Sequence, residues 1–250
     1  MKKKIIALML TVFSCALLSV TALADNSVRN YFAMDEKELA ALIGTDVSDV
    51  RNMKVEYGDD FNATIQWYLD STRDLRLSSK NGNARVTNSE WNSFSAATSK
   101  GSIIISKDGT FSSYRHGHAA LCYLNSGSTF DVVEHPGTGE RSLRQAASVS
   151  FSEATTLASF MPKNVTTQQK NNATSYAASE LTGWRYSALA GRGSTSYLNC
   201  ATLVWKAYDY AGVSVCADDD STITVLPMQY DDTRYTTRQY ANSAYLNTSW

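Results

Sequence analysis

The chain has 250 residues, with 23 Lys and Arg against 24 Asp and Glu and a formal net charge of −1. That balance, with no concentrated basic patch, argues against nucleic acid as a partner. The few cysteines cannot build a disulfide-held scaffold, and the length suits one medium domain with a small extension.

In chain order, Met1-Lys2-Lys3-Lys4 opens a basic start followed by the uncharged run IIALMLTVFSCALLSVTALA. Ala22-Leu23-Ala24 then forms a small-x-small site with Asp25 beyond it. This predicts a secretory signal peptide, residues 1–24, cleaved after Ala24, and a secreted or cell-envelope location. The run is also long enough to span a bilayer, so an uncleaved anchor is the alternative. No second apolar run of that length follows. Cleavage leaves about 226 residues with a net charge of about −4. It also leaves three cysteines, Cys122, Cys200 and Cys216, so at least one thiol is unpaired or paired between chains.

Residues 25 to about 76 read as helical. Asp35 caps a helix with Glu38 three residues on, and Phe61, Ile65, Tyr68 and Leu69 keep the helical period. The Ser/Asn/Gly-rich stretch from Ser78 to Lys100 reads as a loop or linker. Residues 25–99 are therefore taken as a helical extension with a polar linker, and 100–250 as the main domain. From Gly101 the pattern changes to GSIIIS as a short strand, then HGHAALCYL, NSG and TFDVVEH as strand, turn and strand. Residues 166–181 read as a helix, a second helix runs over 200–211, and STITVLPMQ reads as a late strand that Pro227 confines or ends. The domain is α+β with an antiparallel sheet.

Asn199 is a good N-cap, which puts Cys200 at the first helical position. Leu203, Val204, Ala207, Tyr208 and Ala211 form an apolar stripe, and Gly212 is placed to close the helix. The positive end of the helix dipole and the free first-turn amides favour a thiolate and can hold an oxyanion. A structural cysteine is the competing reading. His116, His118 and His135 all precede Cys200, so a Cys/His hydrolase here carries its histidine upstream. With Asn125-Ser126-Gly127 as a three-residue turn, Leu124 pairs with Ser128, Cys122 with Phe130, Ala120 with Val132 and His118 with Glu134. Glu134 would then orient the His118 imidazole. His116 lies two residues back with the same parity, and His135 is expected to face solvent in a turn. Cys122 is expected on the face covered by the cysteine helix, and a Cys122–Cys216 bridge stays open.

Taken together, GSIIIS, GHAALCYL, VVEH, LTGWRY and YLNCATLVWKAYDYAGV resemble the circularly permuted papain-like cysteine hydrolases of the YiiX/YaeF type, relatives of the NlpC cell-wall peptidases, over roughly residues 100–235. The resemblance implies a permuted papain-like fold, an antiparallel sheet packed on a catalytic helix. It implies Cys200 as nucleophile, His118 as general base and Glu134 as the third residue, with Tyr197 and the Gly183-x-x-Tyr186 turn bordering the site. Gly101-Ser102 replaces the family's Gly-Asp, and Ala201 replaces its Ser. The implied activity is amide hydrolysis through a Cys thioester, with no metal or cofactor, on peptidoglycan stem peptides. The alternatives are a lipid or acyl amidase or acyltransferase of the same fold, and a catalytically inactive cell-wall-binding module.

Overall fold

The computed structural model describes residues 29–71 except 44, residues 85–217 except 109, 112, 113 and 116, and residues 224–250 except 249. The signal-peptide and His116 readings lie outside the described residues.

The N-terminal part is helical, as its periodicity predicts. Asp35 accepts from the Lys37 and Glu38 amides at 2.9 and 3.1 Å and starts the helix Glu36–Ile43, followed by helices Val47–Tyr57 and Phe61–Ser71. Their apolar faces bury Leu39, Ile43, Val50, Met53, Phe61, Ile65 and Tyr68 in one cluster, which also takes in Leu189 and Leu226. This extension therefore packs against residues beyond 100.

From residue 85 onward, the polar stretch before Gly101 departs from the loop reading. Residues Asn88–Ala97 form a helix whose Thr87 cap and Glu90 bond reciprocally. Serine and asparagine content masked the cap signal. Phe94, on this helix, is fully buried with Ile104, Ala120, Cys122 and Val132, burial worth about 2–3 kcal/mol.

Among the described residues, the main sheet has six antiparallel strands in the order β10-β7-β1-β4-β5-β6. The strands are β1 (Ile103–Ser106), β4 (His118–Asn125), β5 (Phe130–Glu134), β6 (Leu143–Ala146), β7 (Ala158–Pro162) and β10 (Thr236–Ala241). Two small pairs stand apart. These are antiparallel β2 (Thr110–Phe111) with β3 (Tyr114–Arg115), and parallel β8 (Arg185–Tyr186) with β9 (Tyr197–Leu198). The late strand is Thr236–Ala241; in the described part of STITVLPMQ, residues 224–229, Thr224 makes an isolated bridge to Gly191, and Pro227–Asp231 is a 3-10 helix begun by the proline. The domain is thus α+β with an antiparallel sheet.

Alternation assigns the two sheet faces. Ile103, Ile105, Ala119, Leu121 and Val133 pack against Leu203, Val204, Ala207 and Tyr208 of the helix Cys200–Tyr210 and against Ala173 and Ala177 of the helix Thr167–Glu180. Cys122 faces the other way, into the Phe94 cluster, which corrects the expectation that the cysteine helix covers it. Cys216 lies in the cluster on the opposite face, so the sheet separates the two sulfurs, and all three described cysteines are unbridged.

The hairpin register also differs from expectation. The closing pair is Asn125 with Phe130, so the loop has four residues. A bulge at Tyr123 then shifts the ladder to Cys122–Val132 and Ala120–Glu134. The net displacement from the expected register is two residues. An even shift preserves the face, which leaves His118 and Glu134 diagonal neighbours on one side of the sheet.

Candidate active site

The cysteine helix begins where the sequence places it. The Asn199 side chain accepts from the Thr202 amide at 2.6 Å, and its Nδ2 donates to Ala188 O, Thr224 Oγ1 and Val225 O at 3.1, 2.9 and 3.2 Å. One buried side chain therefore caps the helix and ties it to two loops. Gly212, at φ +68°, closes it. Cys200 is at the first helical position and 8% exposed, so its thiol reaches a cleft of about 410 Å³.

The cleft also holds His118, Glu134, Gln145, Ser150 and Tyr186. Gly117, just before His118, has φ +68°, and a Cβ there would lie 2.8 Å from Ser106 O and 2.9 Å from the Trp250 ring. The close approach of β1 requires glycine and fixes where β4 begins. The His118 Nε2 bonds to Glu134 Oε2, the Cys200 thiol shares its cleft, and its ring lies 5.5 Å from that of Phe151. Burial pulls the imidazole down, but the hydrogen bonds and charges of Cys200 and Glu134 outweigh it and push it up to about 10. Burial likewise opposes ionisation of Glu134. Its bonds to His118, Ser150 and Gln145 prevail and hold it below the usual carboxylate value. Glu134 Oε1 accepts from both Gln145 Nε2 and Ser150 Oγ.

Gln145 and Ser150 escaped the sequence reading. Leu143 pairs with Glu134, which makes Gln145 a diagonal neighbour on the same face. Extending the ladder by one strand, through SLRQA, is the signal that would have found it.

The two tyrosines separate. Tyr186 lines the cleft, and burial, with the Cys200 sulfur second, holds its phenol far above the ordinary value, so it stays a donor. Tyr197 is not brought to the cleft. It lines a second groove with Arg141, Gly183, Trp184 and Arg185. Tyr197 pairs with Arg185 and Tyr186 with Leu198 in the parallel ladder, so alternation sends Tyr197 to the other side. His135 is also corrected. It is fully buried rather than solvent-facing and lines the Cys200 cleft. Ser102, in place of the aspartate, donates to Gln239 at 2.6 Å, so the departure sits on the β10 side of the sheet.

The arrangement pairs a thiol on a helix N-terminus with an imidazole that a buried carboxylate orients, a set able to deprotonate a nucleophile and protonate a leaving group. Among the described residues no three His, Cys, Asp or Glu side chains group as a metal site, and no helix is long and apolar enough to cross a membrane.

No protein-family model matches the chain, and no curated protein matches it. A search of solved structures finds similarity to the crystal structure of metalloprotein YiiX from Escherichia coli O157:H7, at 14% identity and a TM-score of 0.46, covering 58% of this chain and 98% of that one.

Proposed function

We propose that this protein is an exported cysteine hydrolase with a permuted papain-like domain, cleaving an amide bond through a thioester on Cys200. The observation that carries this reading is the Cys200 thiol, at the capped start of its helix, sharing one cleft with the hydrogen-bonded His118–Glu134 pair.

The Cys200 proton rests on His118, and the sulfur attacks the substrate carbonyl carbon. The backbone amide of Cys200, at the start of the helix, is a donor for the oxyanion. As the intermediate collapses, the C–N bond breaks and His118 protonates the leaving amine. His118 then takes a proton from water, which attacks the thioester and releases the acid and the free thiol. Glu134 holds the ring in place and stabilises its cationic form throughout.

Peptidoglycan stem peptides are the first substrate class. A specific observation favours acyl amides as the second: the cleft wall includes Val149, Phe151, Ala154, Val225, Leu226 and Pro227 and no lysine or arginine among its described residues. A carboxylate beside the scissile bond would meet no lysine or arginine there.

Digestion of purified peptidoglycan and of N-acyl amides, with products identified by mass spectrometry, tests the reading. Cys200→Ala is expected to abolish turnover and His118→Ala to come close, with the double variant little worse than Cys200→Ala. Alkylation by iodoacetamide should modify Cys200, which lines the cleft, well before Cys122 and Cys216, which do not. An unreactive Cys200 with no product from either substrate would leave a binding module. Export is checked separately: the intact mass of the secreted protein should begin at Asp25.

A further inference from the structure

We propose that His135 is a neutral hydrogen-bond acceptor in the Cys200 cleft that takes the N–H of the amide being cleaved; this rests on the amide-hydrolase reading above. His135 follows the last residue of β5, where strand alternation ends, so it lines the same cleft as its neighbour Glu134. Its Nε2 lies 3.1 Å from the carbonyl oxygen of Trp184. A carbonyl can only accept, so Nε2 carries the proton and Nδ1 is a bare lone pair. That Nδ1 is buried and has no hydrogen-bond partner. The ring is fully buried and held edge-on by Tyr186, with centroids 5.0 Å apart at 62°.

An unsatisfied buried polar atom costs on the order of 1–3 kcal/mol, and buried polar atoms in folded proteins are nearly always paired. Here the orphan belongs to a cleft-lining residue. Only a donor can satisfy it, because burial pushes the imidazole down to about 4, against the pull of the Trp184 and Arg185 backbone and the Glu134 charge. The two histidines of the cleft therefore divide the work: His118 is held as the cation and moves protons, while His135 stays neutral and accepts. The Nδ1 atom is covered, so a substrate N–H reaches it with a shift of Tyr186, the aromatic that packs on its ring.

An acceptor for N–H discriminates an amide from an ester, which has no such hydrogen. The test uses acetyl-alanine para-nitroanilide and the matching para-nitrophenyl ester. His135→Gln keeps a donor for the Trp184 carbonyl and loses the Nδ1 acceptor. Its kcat/KM for the anilide should fall about tenfold to a hundredfold, with the ester within about threefold of the parent. His135→Asn keeps an acceptor near the Nδ1 position and should retain the amide preference while losing thermal stability. Equal losses on anilide and ester in His135→Gln overturn the proposal. If the parent protein cleaves neither substrate, the hydrolase reading is decided by the peptidoglycan and N-acyl amide digests, and the His135 inference is read from nitrogen-15 spectra of histidine-labelled Cys200→Ala with saturating anilide. A shift of the bare Nδ1 resonance supports it; an unmoved resonance, or a proton found on Nδ1, overturns it.

Discussion

His118 and Glu134 set how the site responds to pH. The proposed mechanism needs a cationic His118, and the pull of Cys200 and Glu134 pushes that imidazole up to about 10 against its burial. A raised value means the proton is held through neutrality and lost as pH rises through about 10, so the alkaline limb of kcat/KM should fall there. Glu134→Gln removes one of the upward pulls and presents an amide NH2 to Gln145 and Ser150, which already donate. We expect kcat to drop ten- to hundredfold, less than for His118→Ala, and the alkaline limb to move to lower pH. A loss of rate with an unmoved limb would mean that Glu134 merely supports the fold.

At the scale of the element, the cysteine helix depends on Asn199 for more than its cap. A capping oxygen alone would let aspartate replace asparagine, since the two cap about equally well. The Nδ2 group, however, donates to three acceptors, Ala188 O, Thr224 Oγ1 and Val225 O. Asn199→Asp would face those acceptors with a second oxygen and leave buried groups unsatisfied. Both Asn199→Ala and Asn199→Asp should lower stability by about 1–3 kcal/mol in urea melts and slow iodoacetamide modification of Cys200. An aspartate variant as stable as the parent would reduce Asn199 to a simple cap.

For the whole molecule, the N-terminal helices join the cleft wall through Leu226, which packs in their cluster and lines the cleft. Asp49, in their second helix, is 4% exposed, and its carboxyl is pushed up to about 6, chiefly by burial, while the Thr45 hydroxyl bond pulls the other way and the Asp46 and Glu56 charges add to the rise. A carboxyl raised on folding binds its proton more tightly in the folded state. Its contribution is fully present below the ordinary value of 3.8 and is lost as pH rises through about 6. Asp49→Asn keeps an acceptor for Thr45 and removes the buried charge, so it should raise stability at pH 7 by on the order of 2–3 kcal/mol and flatten the profile between pH 4 and 7. Thermal melts of both proteins across that range check it. Parallel profiles would show that the folded protein neutralises the charge by other means.

Local signals were enough for much of this. Cap, stripe and terminal glycine placed Cys200 at the first turn of a helix from Asn199 to Gly212, because helix ends are governed by neighbours three and four residues away. Short apolar runs bounded by turn signals found β1, β4 and β5 for the same reason. Tertiary structure decided what depends on residues distant in the chain. The Tyr123 bulge and four-residue loop moved the register by two, and parity alone kept Glu134 on the His118 face. The partners of Glu134 came from a third strand and a one-turn helix, Tyr197 was turned away by a parallel pairing with Arg185, and His135 was buried against Trp184, 49 residues on. Burial and long-range pairing are properties of which surfaces meet, and a linear pattern records only which surfaces are available.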